Sequence, residues 1–242
     1  MKPAAAIALV AIAPAVALAQ TAPPPPAYGY PYSPSAPPAA IEDELDPPHR
    51  APRNALWVGA RVGYAAPLGD AYVDKATLAA VSERDLVGPG PGLEADVGAR
   101  FGRGFLPFFF AANTFAAKGA GAGVTSSSSN LLGFGLRYAF APDAYGFVAE
   151  IAFGYRLTHA KLASGSELSA GAPGELRLGI GGDLRVADRF SLSPMVTFAI
   201  GSYSDVTVTA PGDFARNVVG TPASHGYVGL ALGGHFDIFG KP

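Results

Sequence analysis

The 242-residue chain has no cysteine, which excludes disulfides and thiolate metal sites. It is poor in charge: 15% of residues are charged against 49% hydrophobic, so a solvated or wholly disordered chain is excluded. Neither sign is in useful excess. The formal charge of −2 implies no nucleic-acid partner and no pull toward an anionic surface. Long apolar runs are missing beyond the amino-terminal end. The longest, Phe105 to Ala117, is interrupted by Asn113 and falls short of the roughly 20 residues a spanning helix needs. Any membrane crossing by the mature chain must therefore be made with closed strands. No metal-spaced cluster is present, and no cofactor is implied. Gly119 to Gly123 and Ser126 to Ser129 read as flexible loop, since no Lys-Ser/Thr pair closes a strand-to-helix turn around a phosphate.

What is present begins with an export signal. Lys2 supplies the positive start, Ala4 to Leu18 the apolar stretch, and Ala17-Leu18-Ala19 the small-x-small cleavage site, with Gln20 as the mature start. Residues 1–19 are thus expected to be a signal peptide. Residues 20–54 form a Pro-rich tail with Pro23 to Pro26, Tyr28, Tyr30, Tyr32 and the acidic Glu42-Asp43-Glu44. Such a composition cannot bury enough apolar area to offset its ordering entropy, and it reads as a disordered periplasmic linker.

From Leu56 to Phe239 the governing signal is alternation with period two, the mark of half-buried strands. Eight segments carry it. Leu56, Val58, Val62 and Tyr64 share a face in the first, and Leu93, Val97 and Phe101 in the second. The third sets Leu106, Phe108, Phe110 and Ala112 against Pro107, Phe109, Ala111 and Asn113. Leu132, Phe134, Leu136 and Tyr138 follow, then Phe147, Ile151, Phe153 and Tyr155, then Leu176, Leu178 and Ile180. Val196, Phe198 and Ile200 mark the seventh, and Val228, Leu230, Leu232 and Phe236 the eighth.

The connections alternate in length. Gly102-Arg103-Gly104, Ala141-Pro142-Asp143-Ala144 and Ala187-Asp188-Arg189 are short turns. The others span about 65–91, 117–130, 158–174 and 201–226, and a short helix capped by Asp74 is expected on the surface of the first. Eight strands joined this way make an antiparallel up-and-down barrel over 55–239 with every long loop at one end, as outer-membrane barrels have.

Charge placement decides which way the faces point. The face opposite the large apolar residues carries Arg61, Glu94, Asp96, Arg100, Arg137, Glu150, Arg156, Glu175, Arg177, Asp183, Arg185 and Asp237, whereas the apolar face carries none. A soluble ligand-carrying barrel or a two-sheet sandwich would need charge on its outside. Eight strands enclose only enough room for side chains to fill the interior. The charged face therefore points inward as an ion-pair network of six acids and six arginines, and large residues are not expected to face inward in quantity. The apolar face meets lipid, where a basic residue at midplane would cost about 2–4 kcal/mol. Tyr64, Phe101, Phe140, Tyr145, Tyr155 and Phe190 fall near strand ends, as interfacial girdles do.

With this export signal, strand number, loop asymmetry and Arg/Glu/Asp lumen, the chain resembles the OmpA/OmpX-like family of small outer-membrane β-barrels over roughly residues 55–239. The resemblance implies residence in the outer membrane amid lipid and lipopolysaccharide. It also implies insertion by the outer-membrane assembly machinery, which in such proteins reads the last strand and its terminal aromatic. Two departures stand out. Phe239 falls out of phase with Phe236 and Ile238, and no carboxy-terminal peptidoglycan-binding domain is expected.

Some barrels of this size resemble lipid A-modifying enzymes, with a Ser/His/acid set at the outer rim. The candidate bases are His159, near Ser164, Ser166 and Glu167, and His225, after Ser224; His49 lies in the linker and His235 on the inward face. No spacing enforces a nucleophile–base pair. The reading is a non-enzymatic barrel with a plugged or very narrow lumen and at most small, infrequent conductance. Its activity would be carried by long extracellular loops toward an unknown partner. A lipid A-modifying hydrolase or acyltransferase is the alternative.

Overall fold

The computed structural model describes residues 49–116, 119–121, 123–143, 145–213 and 216–240. The expected signal peptide and most of the expected linker lie outside these. The strands in chain order are β1 (Ala55–Asp74), β2 (Ala80–Ser82), β3 (Gly90–Arg100), β4 (Phe105–Thr114), β5 (Val124–Phe140) and β6 (Tyr145–Leu162). They continue as β7 (Glu167–Ala187), β8 (Phe190–Ser202), β9 (Asp205–Thr209), β10 (Arg216–Val218), β11 (Gly220–Pro222) and β12 (Ser224–Phe239). One short helix, α1 (Glu83–Leu86), lies between β2 and β3.

Eight of these strands close a ring. Each of β1, β3, β4, β5, β6, β7, β8 and β12 pairs antiparallel with the next, and β12 returns to β1. Closure leaves the membrane-height strands without a free edge. The outward row reads as the sequence implies, with Val62, Leu93, Leu132, Phe153, Ile180 and Leu230 all exposed. This is an eight-stranded antiparallel barrel turned inside out relative to a soluble one.

One strand points the other way from the expectation. In β4 it is Leu106, Phe108 and Phe110 that are buried, while Phe109 is 69% exposed. Both faces of this segment are apolar, so alternation alone could not choose between them. Pairing chooses: Phe110 stands opposite Asp96 and Gly133, and Phe108 opposite Gly98 and Gly135, all on inward faces. The glycines leave room for the rings. A Cβ on Gly133 would meet the Phe110 ring at 2.8 Å, and one on Gly135 the Phe108 ring at 2.9 Å. Large residues therefore do enter the lumen: Trp57, Leu106, Phe108, Phe110 and Leu131 form one apolar cluster there.

The long connections are largely strand. β6 and β7 run on to a turn at 163–166, so their expected loop is a rising hairpin. A bulge opposite Gly154 and Tyr155, with Gly174 at φ +79°, rephases β7, so that Leu168, Ala170 and Ala172 face inward above Glu175. They join Tyr72, Leu86, Val87, Tyr203 and Val206 in a second apolar core at the long-loop end. The expected helix capped by Asp74 is corrected as well. Asp74 instead closes a turn, accepting from the amides of Ala76 and Thr77, and the Thr77 amide foremost holds its carboxyl below the ordinary range. Helix α1 is capped by Ser82 with a reciprocal contact from Asp85. It is no surface feature: Glu83 is 0% exposed.

The short-turn end is crossed by chain. The Ala51 amide donates to Asp143 at 2.8 Å, and His49 Nδ1 lies 3.2 Å from Asp188. Those aspartates sit on the β5–β6 and β7–β8 turns, so residues 49–54 reach from β1 to the opposite side of the ring.

Candidate functional site

The twelve charged residues read from the sequence separate into three layers along the lumen. All are buried except Glu94, which is nearly so. The central layer is a three-by-three network. Arg61 pairs with Glu94 at 2.8 Å and Asp96 at 3.3 Å; Arg137 pairs with Asp96 at 3.0 Å and Glu150 at 2.8 Å. Arg177 pairs with Glu94 at 2.7 Å and Glu150 at 2.5 Å. Glycine backbone makes the space: a Cβ on Gly59 would collide with the Asp96 carboxylate, and one on Gly233 with Arg61. The guanidiniums also lie over the inward rings, Arg137 at 4.7 Å from Phe108 and Arg177 at 4.0 Å from Phe110. Forked donors holding two acids apiece suit buried charge better than a lysine could.

Toward the short turns, Asp237 accepts from Arg100 at 3.3 Å and from Arg185 at 2.9 Å, and Arg100 donates to His235 Nε2 at 2.9 Å. Asp183 is buried within electrostatic reach of the same two arginines. Toward the long loops, Arg156 grips Glu175, Glu175 meets His225 Nε2 at 3.1 Å, and Arg156 lies 3.8 Å from the Tyr227 ring. Between this layer and the central one is a cavity of about 90 Å³ with Gly63, Gly92, Ala112 and Ala231 in its walls.

Sequence reasoning missed Glu83. Helix α1 lowers this carboxylate into the mouth, where Oε1 accepts from the hydroxyls of Tyr203 and Tyr227, each at 2.6 Å. Only the capping box Ser82-x-x-Asp85 signalled where the helix begins. Nothing local in the sequence showed that it folds inward.

The two candidate bases are placed differently. His159 pairs across the hairpin with Ser169, and its Nδ1 contacts both the Ser169 hydroxyl and Glu167 Oε1 at 3.1 Å. A relay needs nucleophile and orienting acid on different ring nitrogens. Here one nitrogen serves both. Ser164 and Ser166 bond one another in the turn instead. His225 is buried on Glu175, and no serine is bonded to it among the described residues.

The last strand resolves one departure from the resembled family. Leu56 pairs with Phe239 but Trp57 with Asp237, so the register shifts across Ile238. The bulge brings Phe239 to the outward face at 67% exposure, in line with Phe236.

A closed antiparallel ring with an apolar outside and an ionic inside defines the architecture of an integral outer-membrane β-barrel. Solved structures agree on the fold. Neisserial surface protein A (NspA) superposes with a TM-score of 0.51 at 13% identity, covering 76% of this chain and 97% of that one. Outer membrane protein AlkL, solved in DMPC lipid bilayers, gives 0.51 at 16% identity over 89% and 97%. No protein-family model and no curated sequence matches the chain.

Proposed function

We propose that the chain is an integral outer-membrane protein with a shut lumen, whose role is structural or surface-interacting and is exerted by what rises above the membrane. One observation carries this: the large apolar residues on the ring's outside are exposed, while the paired charges fill its inside. That polarity suits lipid on the outer side, in the lipopolysaccharide-bearing membrane to which the amino-terminal signal would deliver the chain. The likeness in fold to outer-membrane barrels supports the location. Phe239, facing outward at the end of the last strand, suits recognition by the assembly machinery.

The lumen is filled along its length by the outer apolar core, the outer polar layer, the central ion layer with the aromatic cluster against it, and the short-turn ion layer. Steady conduction does not fit it. The half-exposed single-nitrogen contacts of His159 do not favour acyl transfer or hydrolysis. The rising β6–β7 hairpin, extended sideways by β9 and β10, offers a firm platform to an extracellular partner instead.

The decisive experiment is extraction of outer membranes with detergent, followed by gel mobility before and after boiling. A heat-dependent shift, with no stable channels in a planar bilayer, is expected. A freely water-soluble monomer without detergent would overturn the reading. Changing both His159 and His225 should leave the lipid A mass profile unaltered.

A further inference from the structure

The polar layer beneath α1 differs from the other two in its count of charges. The central layer sets three arginines against three acids, and the short-turn layer sets Arg100 and Arg185 against Asp183 and Asp237. Both balance. The outer layer sets one guanidinium, Arg156, against two carboxylates, Glu83 and Glu175, all of them buried. A charge without compensation in so dry a place is costly. Balance calls for one more proton.

Two groups in the layer have room for it. His225 is 2% exposed; its Nε2 faces Glu175 at 3.1 Å and its Nδ1 has no hydrogen-bond partner. Glu83 is 0% exposed; Oε1 takes both tyrosine hydroxyls and Oε2 has no partner. Tyr203 links the two, since its hydroxyl donates to Glu83 while its ring stacks on His225 at 4.1 Å. We propose that this layer is a buried proton-binding site, shared by His225 and Glu83, whose occupancy holds α1 shut over the outer mouth of the barrel.

The surroundings are accounted for on every side. β12 contributes His225 and Tyr227, β6 contributes Arg156 and Thr158, β7 contributes Glu175, β5 contributes Ser129, and Tyr203 lies between β8 and β9. β2 has no ionisable group. On β1, Tyr72 is in the outer core, Asp70 is exposed and Asp74 is held in its own turn. On α1 itself, Arg84 donates to the Pro67 carbonyl and Asp85 accepts from the Ser82 amide. No second cation among these offsets Glu83.

Loss of the proton leaves Glu83 and Glu175 with Arg156 alone. Relief comes from moving Glu83 into water, which draws Leu86 and Val87 out of the outer core and exposes the cavity below. The central ion layer stays closed. This inference rests on the shut-lumen reading, but its test does not use conductance, so either can fail alone.

Because the chain has no cysteine, one introduced thiol reports the motion. The full chain carrying Val87→Cys, refolded in detergent, is labelled with a maleimide from about pH 6 to about pH 9, bracketing the ordinary histidine range. Rates are divided by those of Ser164→Cys in the exposed β6–β7 turn, which removes the thiol's own ionisation. The normalised rate should rise about tenfold per pH unit, the slope of a one-proton linkage. Adding Glu83→Gln should make it low and flat, because the neutral side chain restores balance. A flat profile for Val87→Cys, or a rise that survives Glu83→Gln, overturns the proposal. Each protein is first checked for the heat-dependent mobility shift, and Leu86→Cys replaces Val87→Cys if the latter does not fold.

Discussion

Arg156 holds Glu175 at two points, Nε to Oε2 and Nη2 to Oε1, each at 2.5 Å, and neither side chain has appreciable access to water. The pair is worth less than its geometry suggests, because both ions had to be desolvated. Breaking it is another matter. Arg156→Leu leaves Glu175 buried with only His225 beside it and should cost about 3–5 kcal/mol. Adding Glu175→Leu should recover much of that loss. Denaturant titration of the three proteins refolded into phospholipid vesicles measures it, and a double variant no better than the single would contradict it.

The outward face should tolerate size but not charge. Ile180 is 56% exposed on β7, among residues that would be ordinary core in a soluble protein. Ile180→Arg is expected to cost about 2–4 kcal/mol near the bilayer midplane. Ser164→Arg, in the exposed turn, should be close to neutral. The same vesicle titration decides it: equal, small effects at both positions would mean that Ile180 does not meet lipid.

β4 supplies a sharper contrast, because adjacent rings have opposite surroundings. Phe108 packs against Trp57 at 6.1 Å and under Arg137, whereas Phe109 is 69% exposed. Phe108→Ala should therefore cost about 3–5 kcal/mol through the cavity it leaves. Phe109→Ala loses only lipid contact and should cost clearly less. The reverse ranking would mean that Phe108, and not Phe109, meets lipid.

These positions show what was legible in the residues. Where one face was charged, as with Glu150 and Arg156 on β6 or Arg177 and Asp183 on β7, period two fixed the orientation. A single misplaced charge would face lipid. Where both faces were apolar, as from Leu106 to Ala112, the pattern carried no sign; the inward residues across the two ladders, Asp96 and Gly98 of β3 and Gly133 and Gly135 of β5, decided it. The outer core was hidden for a related reason. Leu168, Ala170 and Ala172 are rephased by the bulge at Gly174, and Glu83 is brought inward by the closure of α1 over the mouth. Both depend on partners distant in the chain.

Phe239 tests the bulge at Ile238. If the assembly machinery reads this outward ring, Phe239→Ala should lower the heat-shifted form in outer membranes severalfold, while refolding of the purified chain in vitro proceeds as before. Deleting Ile238 removes the register shift, because the residue count between Asp237 and Phe239 then matches that between Leu56 and Trp57. With strict alternation Phe239 would then follow the inward-facing Asp237 directly and stay on the outward face opposite Leu56, since neighbouring residues face opposite sides of a sheet. The shortened chain should thus assemble about as well as the full chain, because its terminal ring still faces lipid. Assembly as poor as that of Phe239→Ala would show that the bulge itself, and not only the outward ring, is needed.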